Sequence, residues 1–473
     1  TEGLAGAASY RAILDYYPGL GDHWFVDTQA AMSNPPRTVV LGFGVTGQSV
    51  ARHQCANNKI PIVLDSRSPQ PVGDNWPGLD LRWESEEWPE SLLAQTERAI
   101  VSPGLPLQHP LVRQAREANI ALLSDIDLFM SEVDVPVIGV TGTNGKSTVV
   151  SLVGHLLSAH GLTCAVGGNL GVPALDLLSD ANDMYVLELS SFQLAHSAAL
   201  TLASAALLNV SDDHRDWHGD FARYQQAKQR IYAAADYCVG TLESELAMKA
   251  RVAVAPPKTH QWGVADHDGE SWVYHGQTPL LPITELPLTG RHNVENCLWA
   301  MALVEPWIAP PAAAQLLTGF EGLPHRFAAV PSPADIRCIN DSKATNVGAA
   351  LAALTGFERQ QKVILIAGGD SKGADLTPLG PAMQGRVRQL LTLGKNAAEL
   401  NDVATQYGID WRHIETMDQA VAAAMDQAEA GDTVLLSPAC SSLDMYANFS
   451  TRGEHFTQLV AQYQTRSKTE VDA

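Results

Sequence analysis

Paired cysteines, basic stretches and long apolar runs are all missing from this sequence, and each gap removes a class of protein. The six cysteines, Cys55, Cys164, Cys238, Cys297, Cys338 and Cys440, never form a C-x-x-C pair. That spacing excludes a zinc ribbon and a disulfide framework, and fits unpaired thiols in a reducing compartment. Basic residues are scarce: 31 Lys and Arg face 52 Asp and Glu, a net charge of −21. A general nucleic-acid binder, or a protein docked on an anionic membrane, needs a basic surface; neither is expected here. A small anionic ligand stays open, because a few cations and backbone amides hold a phosphate inside an acidic protein. The longest charge-free run, Leu189 to Ser211, is broken by Ser190, Ser191, Gln193, His196, Ser197, Thr201, Ser204 and Asn209. It reads as a buried strand, a loop and a second strand, so no membrane insertion is expected. No basic stretch followed by an apolar core opens the chain, and the expected location is cytoplasmic. Short-period repeats, low-complexity tracts and an apolar heptad stripe are lacking too, and a monomer is expected.

What the chain does have is alternation. Hydrophobic residues make up 45% of its 473 positions, enough for packed cores. Apolar β-type runs at Thr38–Leu41, Ile60–Leu64, Val137–Val140, Tyr185–Leu189, Lys362–Ala367 and Thr433–Leu436 are separated by helical stretches. This predicts an α/β fold of parallel sheets with helices on their faces. Three blocks emerge: 1–124, Rossmann-like; 125–322, a central phosphate-loop unit; and 323–473, a second Rossmann-like unit. Residues 1–31 stand apart, ahead of Met32-Ser-Asn-Pro-Pro. They read either as an upstream extension or as an ordered helix around Tyr10 to Tyr16.

Two glycine-rich turns carry chemistry. In Val137-Ile-Gly-Val-Thr-Gly142-Thr-Asn-Gly145-Lys146-Ser147-Thr148 a β-type run enters a turn of small residues and a helix leaves it. Backbone N–H groups close around an anion there, and the helix N-terminus adds partial positive charge. Lys146 would meet the β- and γ-phosphates and Ser147 a Mg²⁺ ion. The usual G-x-x-x-x-G-K-[ST] pattern asks for glycine where this chain has Val140. The second turn, Gly42-Phe-Gly44-Val-Thr-Gly47, matches G-x-G-x-x-G after the first strand, and Asp65 closes the next strand. Alone it suggests a dinucleotide oxidoreductase, but the same turn holds any pyrophosphate.

From the phosphate loop onward the chain resembles the Mur ligases, which build the peptidoglycan stem peptide. The resemblance spans roughly Pro36 to Leu459. It runs through Gly-Gly-Asn169-Leu-Gly, Leu187-Glu188-Leu-Ser-Ser-Phe-Gln193 and Asn209-Val-Ser-Asp-Asp213-His214. Tyr224-Gln-Gln-Ala-Lys228, Gly290-Arg-His292-Asn293-Val-Glu-Asn296 and Leu323-Pro-His-Arg326 continue it. Three stretches match the branch that adds D-glutamate: Asn340-Asp341-Ser-Lys343-Ala-Thr345-Asn346, Gly369-Asp-Ser371-Lys372-Gly-Ala-Asp375 and Ser437-Pro-Ala-Cys-Ser441-Ser442-Leu443-Asp-Met-Tyr-Ala-Asn-Phe449. The Asp-Asn-Pro-Arg signature of the diaminopimelate- or lysine-adding branch is absent. The stretch from His214 to Lys228 is one residue shorter than in well-known members.

The resemblance implies an ATP-dependent ligase that joins D-glutamate to UDP-N-acetylmuramoyl-L-alanine through an acyl phosphate and a tetrahedral intermediate. Gly142, Thr143, Asn144, Gly145, Lys146, Ser147 and Thr148 would hold ATP. His292 and Asn296, four apart and so on one helix face, would meet its adenine; Arg326, Asp341 and Lys343 would reach its phosphates once the domains close. Lys146, Glu188, His214 and Lys228 would form the catalytic set. Ser147 and Glu188 would ligate one Mg²⁺ and His214 and Lys228 a second, with Mn²⁺ as a substitute. An ammonium cannot ligate a metal, so Lys228 would be carbamylated. Val45, Thr46, Asp65, Ser66, Arg67, Ser102 and Gly104 would line the UDP end of the substrate, with Asn169, Gln193 and His214 at its muramoyl-alanine end. Thr345, Lys372, Ser442 and Leu443 would bind the D-glutamate carboxylates and Phe449 its side chain.

Other readings leave residues without roles. A folylpolyglutamate synthetase-like ligase shares the ATP core but lacks a glycine-fingerprint domain like residues 38–110. A nicotinamide-dependent oxidoreductase built on Gly42 to Gly47 leaves the phosphate loop, Glu188 and Lys228 idle. A nucleotide switch needs neither Asn340 to Asn346 nor Ser437 to Phe449.

Overall fold

The computed structural model describes residues 38–471 except 71–75, 77, 170, 199, 212, 243–247, 254–257, 259–260, 289, 333–334 and 358–361. The segment 1–31, read as an extension or a helix, lies outside the described residues. Contacts group the chain into two compact units: residues 1–285 with 296–318, and residues 286–295 with 319–473.

The first unit holds two main sheets. Strands β1 (Thr38–Leu41), β2 (Ile62–Leu64), β3 (Asp80–Arg82), β4 (Arg98–Val101) and β5 (Ala121–Leu123) form a parallel sheet in the order β3-β2-β1-β4-β5. The order reverses at β1, so a crevice opens at its carboxyl end. The Gly42 turn and the helix Val45–Ala56 sit there. The second sheet is built from β6 (Val137–Thr141), β7 (Cys164–Gly168), β8 (Met184–Glu188), β10 (Ser204–Leu207), β12 (Cys238–Thr241), β13 (Ala250–Val252), β14 (Gln261–His267), β15 (Glu270–His275) and β16 (Thr278–Pro282). Its order is β16-β15-β14-β13-β12-β10-β6-β8-β7. Pairing is parallel up to β14, and β14 to β16 form an antiparallel meander. A separate two-stranded ladder joins β9 (Thr201–Leu202) to β11 (Ala234–Ala235).

Register decides where chemistry gathers. Val140 and Gly168 both lie opposite Glu188, and Thr141 lies opposite Leu207. The last residues of β6, β7, β8 and β10 therefore share one carboxyl edge, where open parallel sheets bind ligands. The segment after β8 departs from the strand–loop–strand expectation. Ser190 caps a helix, Ser191–His196, through a capping box with Gln193, and the chain reaches the short β9 and then β10 only after it. Two reciprocal cap bonds satisfy orphan helix donors locally, which the apolar pattern could not reveal.

The second unit carries β17 (Ala328–Val330), β18 (Arg337–Asn340), β19 (Val363–Gly368), β20 (Val387–Leu393), β21 (Trp411–His413) and β22 (Thr433–Leu436), in the order β17-β18-β22-β19-β20-β21. Only the β17–β18 pair is antiparallel. Both faces of β19 are covered. Val363, Leu365 and Ala367 join one core, Ile364 and Ile366 the other. That explains its unbroken apolar sequence; each fully buried aliphatic side chain contributes roughly 1.5–3 kcal/mol. Among the described residues no helix is long and apolar enough to cross a membrane.

Candidate active site

The phosphate loop leaves β6 at Thr141 and enters the helix Lys146–Ala159. Two glycines are required by geometry. Gly145 has φ +86°, and a Cβ there would stand 2.6 Å from Asn296 Oδ1. Gly142 has φ +157°, and its Cβ would meet Leu208 at 3.1 Å. Val140, where the common pattern has glycine, is still inside the strand and fully buried, so the turn begins after it. The loop is pinned from the side by Asn209. Its Oδ1 accepts from Asn144 N–H at 2.9 Å and its Nδ2 donates to the Asn144 carbonyl at 3.0 Å. Thr143 Oγ1 pairs with the Tyr224 hydroxyl at 2.9 Å. Thr148, in the first turn of the helix, is buried.

Three charged side chains converge on this loop. Lys146 Nζ folds back to donate to the carbonyls of Gly142 and Thr143 at 3.0 and 2.9 Å. Glu188, 3% exposed at the end of β8, accepts from Ser147 Oγ at 2.5 Å and from Asn169 Nδ2 at 2.7 Å. Lys228, only 2% exposed, donates to the Gly142 carbonyl at 2.7 Å and lies 4.8 Å from the centre of the Tyr224 ring. The two ammonium groups thus share one carbonyl oxygen. Burial first, and the Lys146 charge second, push the Lys228 amine well below the ordinary lysine value. His214 begins the short helix Arg215–His218 with φ +52° and packs its ring 4.8 Å from Phe192. Burial lowers its imidazole too, opposed by Asp213 and reinforced by Lys228.

Several expected ligand residues have internal partners. Asn169 serves Glu188. Gln193, 3% exposed, accepts from Ser190 N–H at 3.0 Å and donates to Asp125 at 3.4 Å. At the first glycine turn Asp65, 2% exposed, accepts from Phe43 N–H at 2.6 Å and from Arg67 N–H, Nε and Nη2 at 2.9, 2.9 and 2.7 Å. Burial alone would raise its carboxyl, but these hydrogen bonds outweigh it and hold it below the ordinary value. Ser102 Oγ donates to the Gly42 carbonyl at 2.9 Å. Gly47 is packed so closely that a Cβ would lie 2.0 Å from the Gly42 carbonyl oxygen. Val45 and Gly104 are exposed and Thr46 and Ser66 half-buried, so this rim is open to a ligand.

In the second unit the expected residues follow three adjacent strands, β18, β22 and β19, at their carboxyl ends. Asp341 is buried, accepts from Ser437 Oγ at 2.8 Å and from Phe327 N–H at 3.2 Å, and burial raises it to about 7. Arg326 opposes that rise. Lys343 Nζ sits 4.0 Å over the Phe449 ring. Thr345 and Phe449 are half-buried, Ser442 buried, and Leu443 66% exposed. Lys372 is exposed with φ +52°, its N–H held by Asp370 Oδ1 at 2.9 Å. An antiparallel bridge between Asp370 and Ser441 sets its loop beside the Ser442 loop. His292 packs against Phe327 with ring centres 5.8 Å apart, whereas Asn296 faces Gly145.

Sequence reasoning gave no role to Tyr224 or Asn209. Tyr224 touches Thr143, Lys228 and His214. Its place one helical turn before Lys228 was the available signal.

Three family descriptions match the chain: "Mur ligase MurD-like, N-terminal domain" over residues 36–124, "Mur ligase middle domain" over 140–304, and "Mur ligase, glutamate ligase domain" over 325–440. The UDP-N-acetylmuramoylalanine--D-glutamate ligase of Nitrosococcus oceani is 42% identical over 440 residues, covering 90% of this chain and 96% of that protein. The protein of the same name from Escherichia coli K12 is 39% identical over 434 residues, covering 90% and 98%. Among solved structures, the UDP-N-acetylmuramate-alanine ligase of Thermotoga maritima matches with a TM-score of 0.58 at 18% identity, covering 91% of this chain and 99% of that one. Escherichia coli FolC in complex with ADP matches with a TM-score of 0.52 at 19% identity, covering 72% and 93%. At such identities the structural likeness is one of fold.

Proposed function

The chain belongs to the Mur ligase family, and we propose that it works as the ATP-dependent ligase that adds D-glutamate to UDP-N-acetylmuramoyl-L-alanine in peptidoglycan precursor synthesis. The observation that carries the ligase reading is the meeting of phosphate loop, Glu188 and Lys228 at one carboxyl edge of the second sheet.

The chemical problem is that an ionised carboxylate is a poor electrophile. Transfer of the ATP γ-phosphate makes it an acyl phosphate. The D-glutamate amine then attacks, and the tetrahedral intermediate expels phosphate. The first step brings two anions together, so cations must screen them. The N–H groups of residues 142–147 and the start of the helix would hold the phosphates, with Lys146 turning from the Gly142 and Thr143 carbonyls onto them. The Ser147 hydroxyl and the Glu188 carboxylate, hydrogen-bonded at 2.5 Å, offer hard oxygen donors of the kind Mg²⁺ takes. Among the described residues no group of three or more His, Cys, Asp or Glu could hold a metal. A Mg²⁺ held by few protein ligands and by phosphates fits that donor set.

Lys228 supports the second site. Burial disfavours the charged form of the Lys228 amine, and the neutral form is a nucleophile for CO₂. The N–C bond forms as one C=O π bond of CO₂ opens onto oxygen, the nitrogen gives a proton to water, and an anionic oxygen ligand results. Beside His214 it would hold a second Mg²⁺, with Mn²⁺ as a substitute; when bound, the two ions supply charge neutralisation. Val45, Thr46, Ser66, Arg67 and Gly104 would bind the UDP end, with Asp65 and Ser102 shaping the turn, and Asn169, Gln193 and His214 the muramoyl-alanine end. His292 and Asn296 would meet adenine, and Arg326, Asp341 and Lys343 the rest of the nucleotide. Lys372, Thr345, Ser442 and Leu443 would take the D-glutamate carboxylates, and Phe449 its side chain. A monomer is the assembly proposed. Dependence on two nucleotide substrates would suit a cytoplasmic enzyme.

Phosphate release from ATP with UDP-N-acetylmuramoyl-L-alanine, against a panel of amino acids, tests the reading. Release with D-glutamate alone is expected. Release with L-glutamate, L-alanine or a diamino acid would keep the ligase chemistry and overturn the substrate.

A further inference from the structure

Arg452 has no part in the scheme above, yet it is among the largest fully buried side chains in the protein. It lies in the first turn of the helix Phe449–Val471. Its Nε donates to Ser342 Oγ at 3.0 Å and its Nη2 to the Ser342 carbonyl at 2.8 Å. Nη1 and Nη2 both donate to the Cys440 carbonyl at 3.3 Å. Among the described residues none of these partners is a carboxylate. Removing an ion from water costs several kcal/mol, and an apolar side chain of similar volume would avoid that cost. What the guanidinium offers instead is a rigid planar fork of five donors. Here the fork spans segments 110 and 12 residues away from it in sequence.

We propose that Arg452 is the positioning residue for the amino-acid end of the site, fixing the loop after β18 and the loop after β22 relative to one another. Ser342 relays the contact: its hydroxyl accepts from Arg452 and donates to the Phe449 carbonyl at 2.8 Å. The next residue, Lys343, stacks on the Phe449 ring. On the other side Cys440 precedes Ser441, whose bridge to Asp370 holds the Lys372 loop. The turn has no slack. A Cβ on the neighbouring Gly453 would lie 2.3 Å from His325 Nδ1, and the Gly453 carbonyl accepts from Asn340 Nδ2 at 2.8 Å. One buried cation thereby sets the spacing of the loops bearing Thr345, Lys372, Ser442, Leu443 and Phe449. The inference rests on reading those loops as the D-glutamate site.

The test is steady-state kinetics of the full chain with Arg452→Met, Arg452→Lys and Ser342→Ala, each checked by thermal melting. Arg452→Met is expected to raise the D-glutamate KM on the order of tenfold or more, with a smaller rise in the ATP KM because Asp341 and Lys343 share the loop after β18, while the KM for the UDP substrate stays within about twofold. An amine held out of place leaves acyl phosphate to water, so phosphate released should exceed amide formed. Arg452→Lys should restore part of the loss. An unchanged D-glutamate KM with phosphate matching amide, in a folded Arg452→Met, would overturn the proposal; so would an equal rise in all three KM values. Should Arg452→Met not fold, Ser342→Ala decides, because it keeps the charge and cuts the relay. A rise of a few-fold in the D-glutamate KM supports the proposal, and no rise overturns it. If the unmodified enzyme does not use D-glutamate, the reading of the site fails whatever Arg452 does.

Discussion

The molecule builds the same local device twice and equips it differently. After β1 and again after β6, a parallel strand runs into a glycine turn and a helix, and a neighbouring strand ends in a buried carboxylate. At the first turn that carboxylate is Asp65, and Arg67 saturates it through Nε and Nη2. At the second it is Glu188, which accepts from the Ser147 hydroxyl and the Asn169 amide and acts on the charge of the buried Lys228. A carboxylate already matched by a built-in cation shapes a turn. One that accepts from the phosphate-loop serine stands where a cation arriving with the nucleotide would be met. The first device therefore suits a pyrophosphate end that is merely held, the second a phosphate that is transferred. The turns agree: Lys146 follows the second and the buried Lys228 donates into it, whereas the first has no lysine between Gly42 and Asn57.

Breaking the second device should have the larger consequences. Glu188→Gln keeps the volume and removes the charge, so turnover should fall on the order of a thousandfold or more in a phosphate-release assay. Lys228→Ala should abolish turnover to a similar degree, and acetate should restore part of it by supplying the missing oxygens. Near-normal activity in Lys228→Ala would remove the carbamate from the account. Breaking the first device is milder. Arg67→Ala leaves Asp65 buried with fewer donors, and the KM for the UDP substrate should rise about tenfold with kcat little changed. The smallest effect is one of stability. Asp125, buried 2% exposed between the two devices in sequence, is raised by burial to about 7, with Gln193 opposing. Its folded value lies above the ordinary 3.8, so the folded state holds the proton more tightly, and stability is lost as pH climbs towards about 7. Asp125→Asn removes that loss. It should raise the melting temperature by a few degrees at pH 8 and leave it unchanged at pH 4; equal effects at both pH values would contradict the assignment.

Much of this was legible in the sequence because the signals are local. Doubly buried strands such as β19 read as unbroken apolar runs, and Lys146 and Ser147 follow their glycines at fixed spacing. Glu188 stood out as a carboxylate ending an apolar strand. What stayed hidden depends on distant contacts. Asn209 pins Asn144 across 65 residues, and Arg452 reaches Ser342 across 110. No periodicity encodes such pairings. The helix Ser191–His196 was missed because its capping box is written in Ser190 and Gln193, residues that also suit a loop.

On the proposed function, the two turns divide the nucleotides between them. Titrating a non-hydrolysable ATP analogue with Mg²⁺, and separately UDP-N-acetylmuramoyl-L-alanine, into the Glu188→Gln and Arg67→Ala enzymes measures it directly by calorimetry. The account predicts a crossed result: Glu188→Gln weakens the Mg²⁺-dependent part of ATP binding and spares the UDP substrate, and Arg67→Ala does the reverse. Loss of ATP affinity in Arg67→Ala, with the UDP substrate unaffected, would contradict it.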